Sequence, residues 1–121
     1  MDGHILWEWQ NGTEGDDYFI TGGVASDGSV VLAGYTTGAY AAENAGSDDF
    51  VVIKLDDYGK VLWTWQDGTN SSDGWDGLAI GVDGSVVLAG KTQGSWNATS
   101  AGDNDWAAMK LDAEGKVVWK W

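Results

Sequence analysis

The chain repeats itself at a fixed spacing of 56 residues. Two Trp positions mark the period, each in three copies: Trp7, Trp63 and Trp119, and Trp9, Trp65 and Trp121. Residues 27–34, Asp-Gly-Ser-Val-Val-Leu-Ala-Gly, return unchanged at 83–90, and about half of the pairs are identical when residues 3–65 are aligned with 59–121. A fixed period in this range indicates repeated units that must pack against neighbours to bury their apolar faces.

Composition narrows the classes of partner. Nineteen acidic residues face six Lys, giving a net charge of −13, whereas nucleic acids and anionic membranes recruit basic patches. We therefore expect no nucleic acid and no membrane partner. The absence of Cys excludes disulfides and thiol chemistry. Nine Trp are more than a chain of this size could hide alone, which favours packing against further copies.

Each unit contains four runs of strand length, separated by Gly and Asp turn signals. The runs of the two units are 18–25, 30–35, 50–55 and 61–66, then 75–82, 86–91, 106–111 and 117–121. The second and third runs are apolar on both faces, which indicates sheets covered on both sides. Only the fourth run alternates, with Val61, Trp63 and Trp65 on one face, as expected of an outer strand. These patterns predict an all-β fold of two four-stranded sheets.

We divide the chain into residues 1–10, a duplicated outer strand, and two units, 11–66 and 67–121, of one repeat domain. The longest loops, 36–49 and 92–105, join the second and third runs, and carry aromatic residues at equivalent positions, Tyr40 and Trp96. Aromatic ring faces suit sugars. Tyr40 and Trp96 are therefore the candidate ligand-binding residues, with a glycan as the expected ligand.

The string Gly-Ser-Asp-Asp-Phe-Val-Val-Ile-Lys-Leu-Asp at 46–56, followed by Gly-Lys-Val-Leu-Trp at 59–63, resembles the β-propeller repeats of bacterial and algal surface proteins. It is also similar to blades of quinoprotein-type propellers. The resemblance implies a β-propeller of four-stranded blades, an extracellular or cell-surface location, and Trp63 and Trp119 docked between adjacent blades. No residues match a quinoprotein cofactor site, so no cofactor and no catalytic role are expected.

Two blades do not close a ring, because propellers typically have 4–8 blades. Closure therefore predicts a homo-oligomer: a trimer of six blades is favoured, with a dimer of four or a tetramer of eight as alternatives. The strand Trp residues are assigned to inter-blade packing: Trp7, Trp9, Trp63, Trp65, Trp119 and Trp121. The near identity of the units indicates an amplified or engineered sequence. The expected function is a structural, self-assembling unit, with a carbohydrate-binding, lectin-like module as the alternative.

Three further features bear on chemistry. Acidic clusters such as Asp48-Asp49 could bind Ca²⁺ or cap tight turns, and because none has EF-hand spacing no metal site is assigned. Lys54 and Lys110 lie within apolar runs, and Asp17 and Asp73 are candidate partners for them unless each Lys reaches solvent. The sequence shows no nucleophile–base pair, so we expect no enzyme activity.

Overall fold

The computed structural model describes residues 2–121, which form eight strands in two antiparallel sheets and contain no helix. Sheet 1 contains β1 (Asp17–Val24), β2 (Val30–Thr36), β3 (Asp49–Leu55) and β4 (Val61–Asp67). Sheet 2 contains β5 (Asp73–Ile80), β6 (Val86–Thr92), β7 (Asp105–Leu111) and β8 (Val117–Lys120). Each sheet follows chain order, so its edge strands are β1 and β4 in sheet 1 and β5 and β8 in sheet 2. The described residues include no helix able to span a membrane.

Tight turns between neighbouring strands carry glycine at a left-handed position. Gly28, Gly59, Gly84 and Gly115 have φ between 81° and 85°, which side-chain-bearing residues rarely adopt. An Asp side chain stabilises each turn: Asp56 Oδ1 accepts from the Tyr58 amide at 2.8 Å, for example. This Asx-turn chemistry fixes the hairpin registers, and it recurs at Asp27, Asp83 and Asp112.

The two sheets pack face to face around a shared apolar core. β3 is buried along its whole length, as expected for a strand with two dry faces. Sheet 2 covers one face of sheet 1, and the chain's first residues cover the other. The prediction of two four-stranded sheets is confirmed. Both faces of sheet 1 are covered as predicted, whereas one face of sheet 2 stays open.

The first segment of the chain differs from the sequence prediction. Residues Ile5–Gln10, expected to form an outer strand, have no regular secondary structure. An outer strand of this sequence would pair with β3 or β7, and within this chain β4 and β8 already occupy those places. The segment instead lies across sheet 1 through its side chains. We call residues 5–10 the N-terminal segment.

Candidate functional site

Four aromatic rings form the centre of the contact between the sheets. Phe50 of β3 stacks on Trp75 of β5 with ring centroids 4.0 Å apart and an interplanar angle of 22°. Trp65 of β4 and Trp96 of the β6–β7 loop close around this pair, with Trp96 edge-on to Phe50 at 4.7 Å. Phe50 and Trp75 are both completely buried. Offset and edge-to-face ring contacts add to the stabilisation from burial alone.

Two Trp residues one repeat apart, Trp7 and Trp63, each dock on a glycine turn. The Trp63 ring lies so close to Gly115 that a Cβ there would be 2.6 Å from its Cδ2. Trp7 lies in the same way on Gly59, where a Cβ would be 2.8 Å from its Cε3. Trp63 Nε1 also donates to the Ala113 carbonyl at 3.0 Å. The N-terminal segment therefore lies on sheet 1 as β4 lies on sheet 2.

Sheet 2 presents an open face with the residues that sheet 1 buries. Trp106 occupies the register position of Phe50, yet Trp106 is 85% exposed while Phe50 is 0% exposed. Val87 is 39% exposed and its counterpart Val31 is fully buried. Ala89 and Ala108 complete this surface, and both are less buried than their counterparts in sheet 1. We call these four residues the open face.

The opposite end of the chain carries a second, partly covered apolar surface. Val51, Ile53 and Leu55 of β3 are buried there under Trp7 and Trp9. Phe19 of β1 lies beside Trp9 on this face and remains 44% exposed. The Trp9 and Phe19 rings are 6.1 Å apart and tilted by 32°, close to the 6.4 Å and 33° of Trp65 and Trp75.

Gln66, at the end of β4, ties the long loop of sheet 1 to the strand. Its Oε1 accepts from the amides of Tyr40 and Ala41 at 2.7 and 2.9 Å. Its Nε2 donates to the Gly38 carbonyl at 2.9 Å and to Asp49 Oδ2 at 3.1 Å. Gln66 is 6% exposed, so one buried amide side chain satisfies several loop groups. Sequence reasoning did not identify Gln66, although Gln recurs after Trp-x-Trp at Gln10.

The corresponding part of sheet 2 is an open cleft of about 450 Å³. Its walls include Gly94, Trp96 and Asp105, which lie one repeat after Gly38, Tyr40 and Asp49. Trp106 and Trp121 add two further rings to the walls. No described residue fills this cleft as Gln66 fills its counterpart.

The two predicted ligand residues lie in equivalent places, half-buried, and each packs against the neighbouring core. Tyr40 contacts the cluster of Val51, Ile53 and Leu55, and its hydroxyl accepts from Asn11 at 3.3 Å. Trp96 packs in the aromatic centre and also lines the cleft. They face different surroundings, because Gln66 fills the loop of Tyr40 while the cleft of Trp96 is open.

The predicted packing Trp residues divide by position. Trp63 and Trp65 pack against the core between the sheets. Trp7 and Trp9 are half-buried on sheet 1. In contrast, Trp119 and Trp121 are 41% and 65% exposed on β8 and just beyond it.

The partners proposed for the buried lysine were wrong. Lys54 is 6% exposed, and its ammonium donates to the Ala113 carbonyl of sheet 2 at 3.4 Å. The expected partners, Asp17 and Asp73, are the first residues of β1 and β5, and they accept hydrogen bonds from nearby Thr residues instead. Thr69 and Thr92 bond Asp73 as Thr13 and Thr36 bond Asp17.

The same hydrogen bonds leave these two carboxyl groups with opposite pKa shifts. Burial raises the pKa of Asp73 above 3.8 and outweighs its bonds to Thr69 and Thr92. The slight burial of Asp17 acts in the same direction, but the bonds from Thr36 and Thr13 outweigh it and lower the pKa of Asp17. The opposite shifts follow from burial, because Asp73 is buried and Asp17 is exposed.

Acidic clusters elsewhere in the described chain bind backbone amides. Asp49 Oδ2 accepts from Ala45 N at 2.9 Å and Asp105 Oδ2 from Ala101 N at 2.7 Å. Among residues 2–121, no group of three or more His, Cys, Asp or Glu side chains is placed to hold a metal ion.

Comparison with known proteins found no protein-family model and no curated protein that matches the chain.

Proposed function

We propose that this chain is a structural, self-assembling β-propeller unit without catalytic activity, several copies of which close into a ring. Each sheet would be one blade. The supporting observation is that sheet 2 exposes, through Trp106 and Val87, the face that sheet 1 buries against sheet 2 through Phe50 and Val31. A second copy can cover this open face by repeating the contact already made within the chain.

The aromatic residues support this docking because the two contacts are matched pairs. Within the chain, Phe50 stacks on Trp75. Between copies, Trp106 would meet Phe19, since these residues hold the register positions of Phe50 and Trp75. Each contact then contains one Phe and one Trp, so their combined volume is conserved. Volume-conserving exchanges are the ones that packed interfaces tolerate best.

A head-to-tail contact of this kind is heterologous, and it forms a closed ring when the rotation between copies divides a full turn. Known propellers of 4–8 blades correspond to two, three or four copies of this chain. We favour the trimer of six blades, with the dimer of four and the tetramer of eight as the other closures.

Native mass spectrometry with two matched variants tests the proposal. The wild-type chain is expected at two, three or four times its mass of 12.9 kDa. Trp106→Lys, which places a charge in the open face, is expected to give a folded monomer. Tyr58→Lys is the control, because Tyr58 is 84% exposed in a turn and its counterpart Glu114 stays exposed beside the packed sheets. A folded wild-type monomer at micromolar concentration would contradict ring assembly.

A carbohydrate-binding, lectin-like module is the second candidate. The observation behind it is the cleft, in which Trp96, Trp106 and Trp121 supply rings and Asp105 supplies a carboxylate for sugar hydroxyls. A glycan array should then show binding that Trp121→Ala weakens, because Trp121 is 65% exposed and its loss spares the core. The Tyr40→Ala/Trp96→Ala double variant tests the paired loop positions. Binding that is indifferent to both variants would exclude these residues as the sugar site.

A further inference from the structure

The N-terminal segment has the sequence of an outer strand and makes the Trp contacts of one, but it lacks the backbone pairing. Residues 7–10, Trp-Glu-Trp-Gln, correspond to 63–66, Trp-Thr-Trp-Gln. Trp7 and Trp9 contact sheet 1 as Trp63 and Trp65 contact sheet 2. However, β4 also pairs along its backbone with β3, whereas residues 5–10 belong to no strand. The segment therefore occupies the position of an outer strand whose own sheet is missing.

Gln10 lacks the loop contacts that Gln66, its counterpart one repeat later, makes in sheet 1. Gln66 is buried in the loop of sheet 1, where it bonds two or more amides, a carbonyl and Asp49. Gln10 is exposed. The cleft beside Trp96 contains the counterparts of every group that Gln66 binds in sheet 1. Gln10 and the cleft are thus two halves of one contact, located at opposite ends of the chain.

We infer that, in the ring, the N-terminal segment of one copy displaces β8 of the neighbouring copy, pairs with β7 and places Gln10 in the cleft beside Trp96. The inference rests on the proposed ring assembly and names the element that closes each seam. Docking the open face of one copy on sheet 1 of the next brings β7 to the segment. Because Trp121 and Trp9 are repeat equivalents, both cannot occupy the one Trp position at the seam.

The competing strand is weakly paired. β8 pairs with β7 at three register positions, Met109, Lys110 and Leu111, with one further pair of bonds between Ala108 and Trp121. β4 pairs with β3 at six register positions. The displaced strand therefore gives up a short ladder, and the incoming segment offers the longer register that β4 already shows.

Side chains contribute on both sides of the exchange. β8 carries Lys120, whose ammonium lies 2.9 Å from Asp67 and 4.1 Å from the centre of the Trp96 ring. The segment has Glu8 at that position, so it loses both contacts and brings a second carboxylate near Asp67. Lys120 and Asp67 are partly exposed, and exposed ion pairs contribute little. Covering the open face in the ring would also bury the cleft, and Gln10 then supplies hydrogen bonds to groups that would be costly to bury unsatisfied, which offsets this loss.

A pair of cysteine variants separates exchange from retention of β8. The register of β3 with β4 places Glu8 opposite Met109 of the neighbouring copy, and Lys120 is opposite Met109 within one chain. Because the chain has no Cys, the two introduced thiols are the only ones present in Glu8→Cys/Met109→Cys, and a disulfide between residue 8 of one copy and residue 109 of the next links the whole ring, whereas one between two exposed residues 8 links a pair at most. In one chain, residue 8 and residue 109 lie on opposite sides of sheet 1. The matched control, Met109→Cys/Lys120→Cys, forms its disulfide within a chain and locks β8 in place.

Oxidation with glutathione and non-reducing electrophoresis give the readout. Exchange predicts that Glu8→Cys/Met109→Cys runs as covalently linked multimers, and that the control remains a monomer on the gel and loses the ring in native mass spectrometry. If the first variant forms a ring but no cross-link, β8 is retained and the exchange is wrong while ring assembly stands. If wild type forms no ring, ring assembly itself is wrong.

A second measurement avoids substitution of the buried Met109. Gln10→Ala changes an exposed side chain in the single chain, so the chain should fold normally. Exchange predicts that the ring dissociates on dilution at a concentration about tenfold higher or more, the equivalent of one or two lost hydrogen bonds. The control is Gln93→Ala, at another exposed Gln, which should leave dissociation unchanged. Equal behaviour of the two variants would overturn the exchange.

Discussion

The pair Phe50 and Trp106 allows one register position to be tested in two environments. Phe50 is fully buried and stacks on Trp75 at 4.0 Å. Trp106 is 85% exposed in the single chain and becomes buried only if a second copy covers the open face. Phe50→Ala should therefore destabilise the folded chain itself. Trp106→Ala should leave the chain intact and destabilise the ring.

The magnitudes follow from burial. An aromatic side chain buries about 150–250 Å², and at about 25 cal/mol per Å² this is worth about 4–6 kcal/mol. The usual cost of Phe→Ala in a core is about 3–5 kcal/mol, and we expect that for Phe50→Ala. For the dissociated chain, Trp106→Ala should change the unfolding free energy by about 0.5 kcal/mol or less, as surface substitutions do. In the ring its cost should approach that of Phe50→Ala.

Two assays separate the effects. Urea unfolding at a concentration low enough to dissociate the ring measures the chain alone. Dilution followed by native mass spectrometry or light scattering measures the ring. A Trp106→Ala variant that destabilises the dissociated chain as much as Phe50→Ala would show that Trp106 packs within the chain. A variant that leaves ring dissociation unchanged would show that the open face is not the seam.

Three further predictions concern the same contacts. Trp63→Ala should lower the unfolding free energy by about 3–5 kcal/mol, and Trp119→Ala, at a residue 41% exposed, should cost less in urea melts. The stabilising contribution of Asp73 is present below pH 3.8 and is lost as the pH rises through its raised pKa. The stabilising contribution of Asp17 is present above pH 3.8 and is lost as the pH falls through its lowered pKa. Urea midpoints of Asp73→Asn and Asp17→Asn relative to wild type should thus vary in opposite directions with pH. Added NaCl should strengthen the ring, since it screens repulsion between chains of charge −13.

Local sequence patterns predicted all eight strands to within two residues, together with one strand, at residues 5–10, that does not form. The second and third predicted runs, 30–35 and 50–55, match β2 and β3 to within one residue. An Asp-Gly turn sets the start of β2 and an Asp-x-x-Gly turn sets the end of β3, because each turn uses its own Asp side chain and its own glycine. The dry faces of Phe50–Ile53 likewise predicted burial on both sides. Each of these inferences depends on residues close together in the sequence.

The site depended on contacts that local patterns do not encode. The strand expected at Ile5–Gln10 does not form, because the places beside β3 and β7 that an outer strand would take are already occupied by β4 and β8. The Lys54 ammonium donates to the Ala113 carbonyl of the other sheet and not to the expected carboxylates. The Asp17 and Asp73 carboxylates accept hydrogen bonds from nearby Thr residues instead. The role of Gln66 could have been suspected from its recurrence at Gln10, but its partners come from a loop that folds back from 26 residues away.

The proposed exchange also has a kinetic consequence. β8 is tethered to its own β7, so in the single chain it competes with a high effective concentration, and exchange must await its detachment. At high chain concentration, detachment then limits assembly, and the observed rate should level off and become independent of concentration. Stopped-flow mixing of dissociated chains into assembly conditions, followed by light scattering across a wide range of chain concentrations, measures the rate of assembly. Lys120→Ala removes both the ion pair to Asp67 and the contact with the Trp96 ring, and should raise the plateau rate by a small factor. A rate that rises with concentration throughout, and is unaffected by Lys120→Ala, would mean that copies dock without releasing β8.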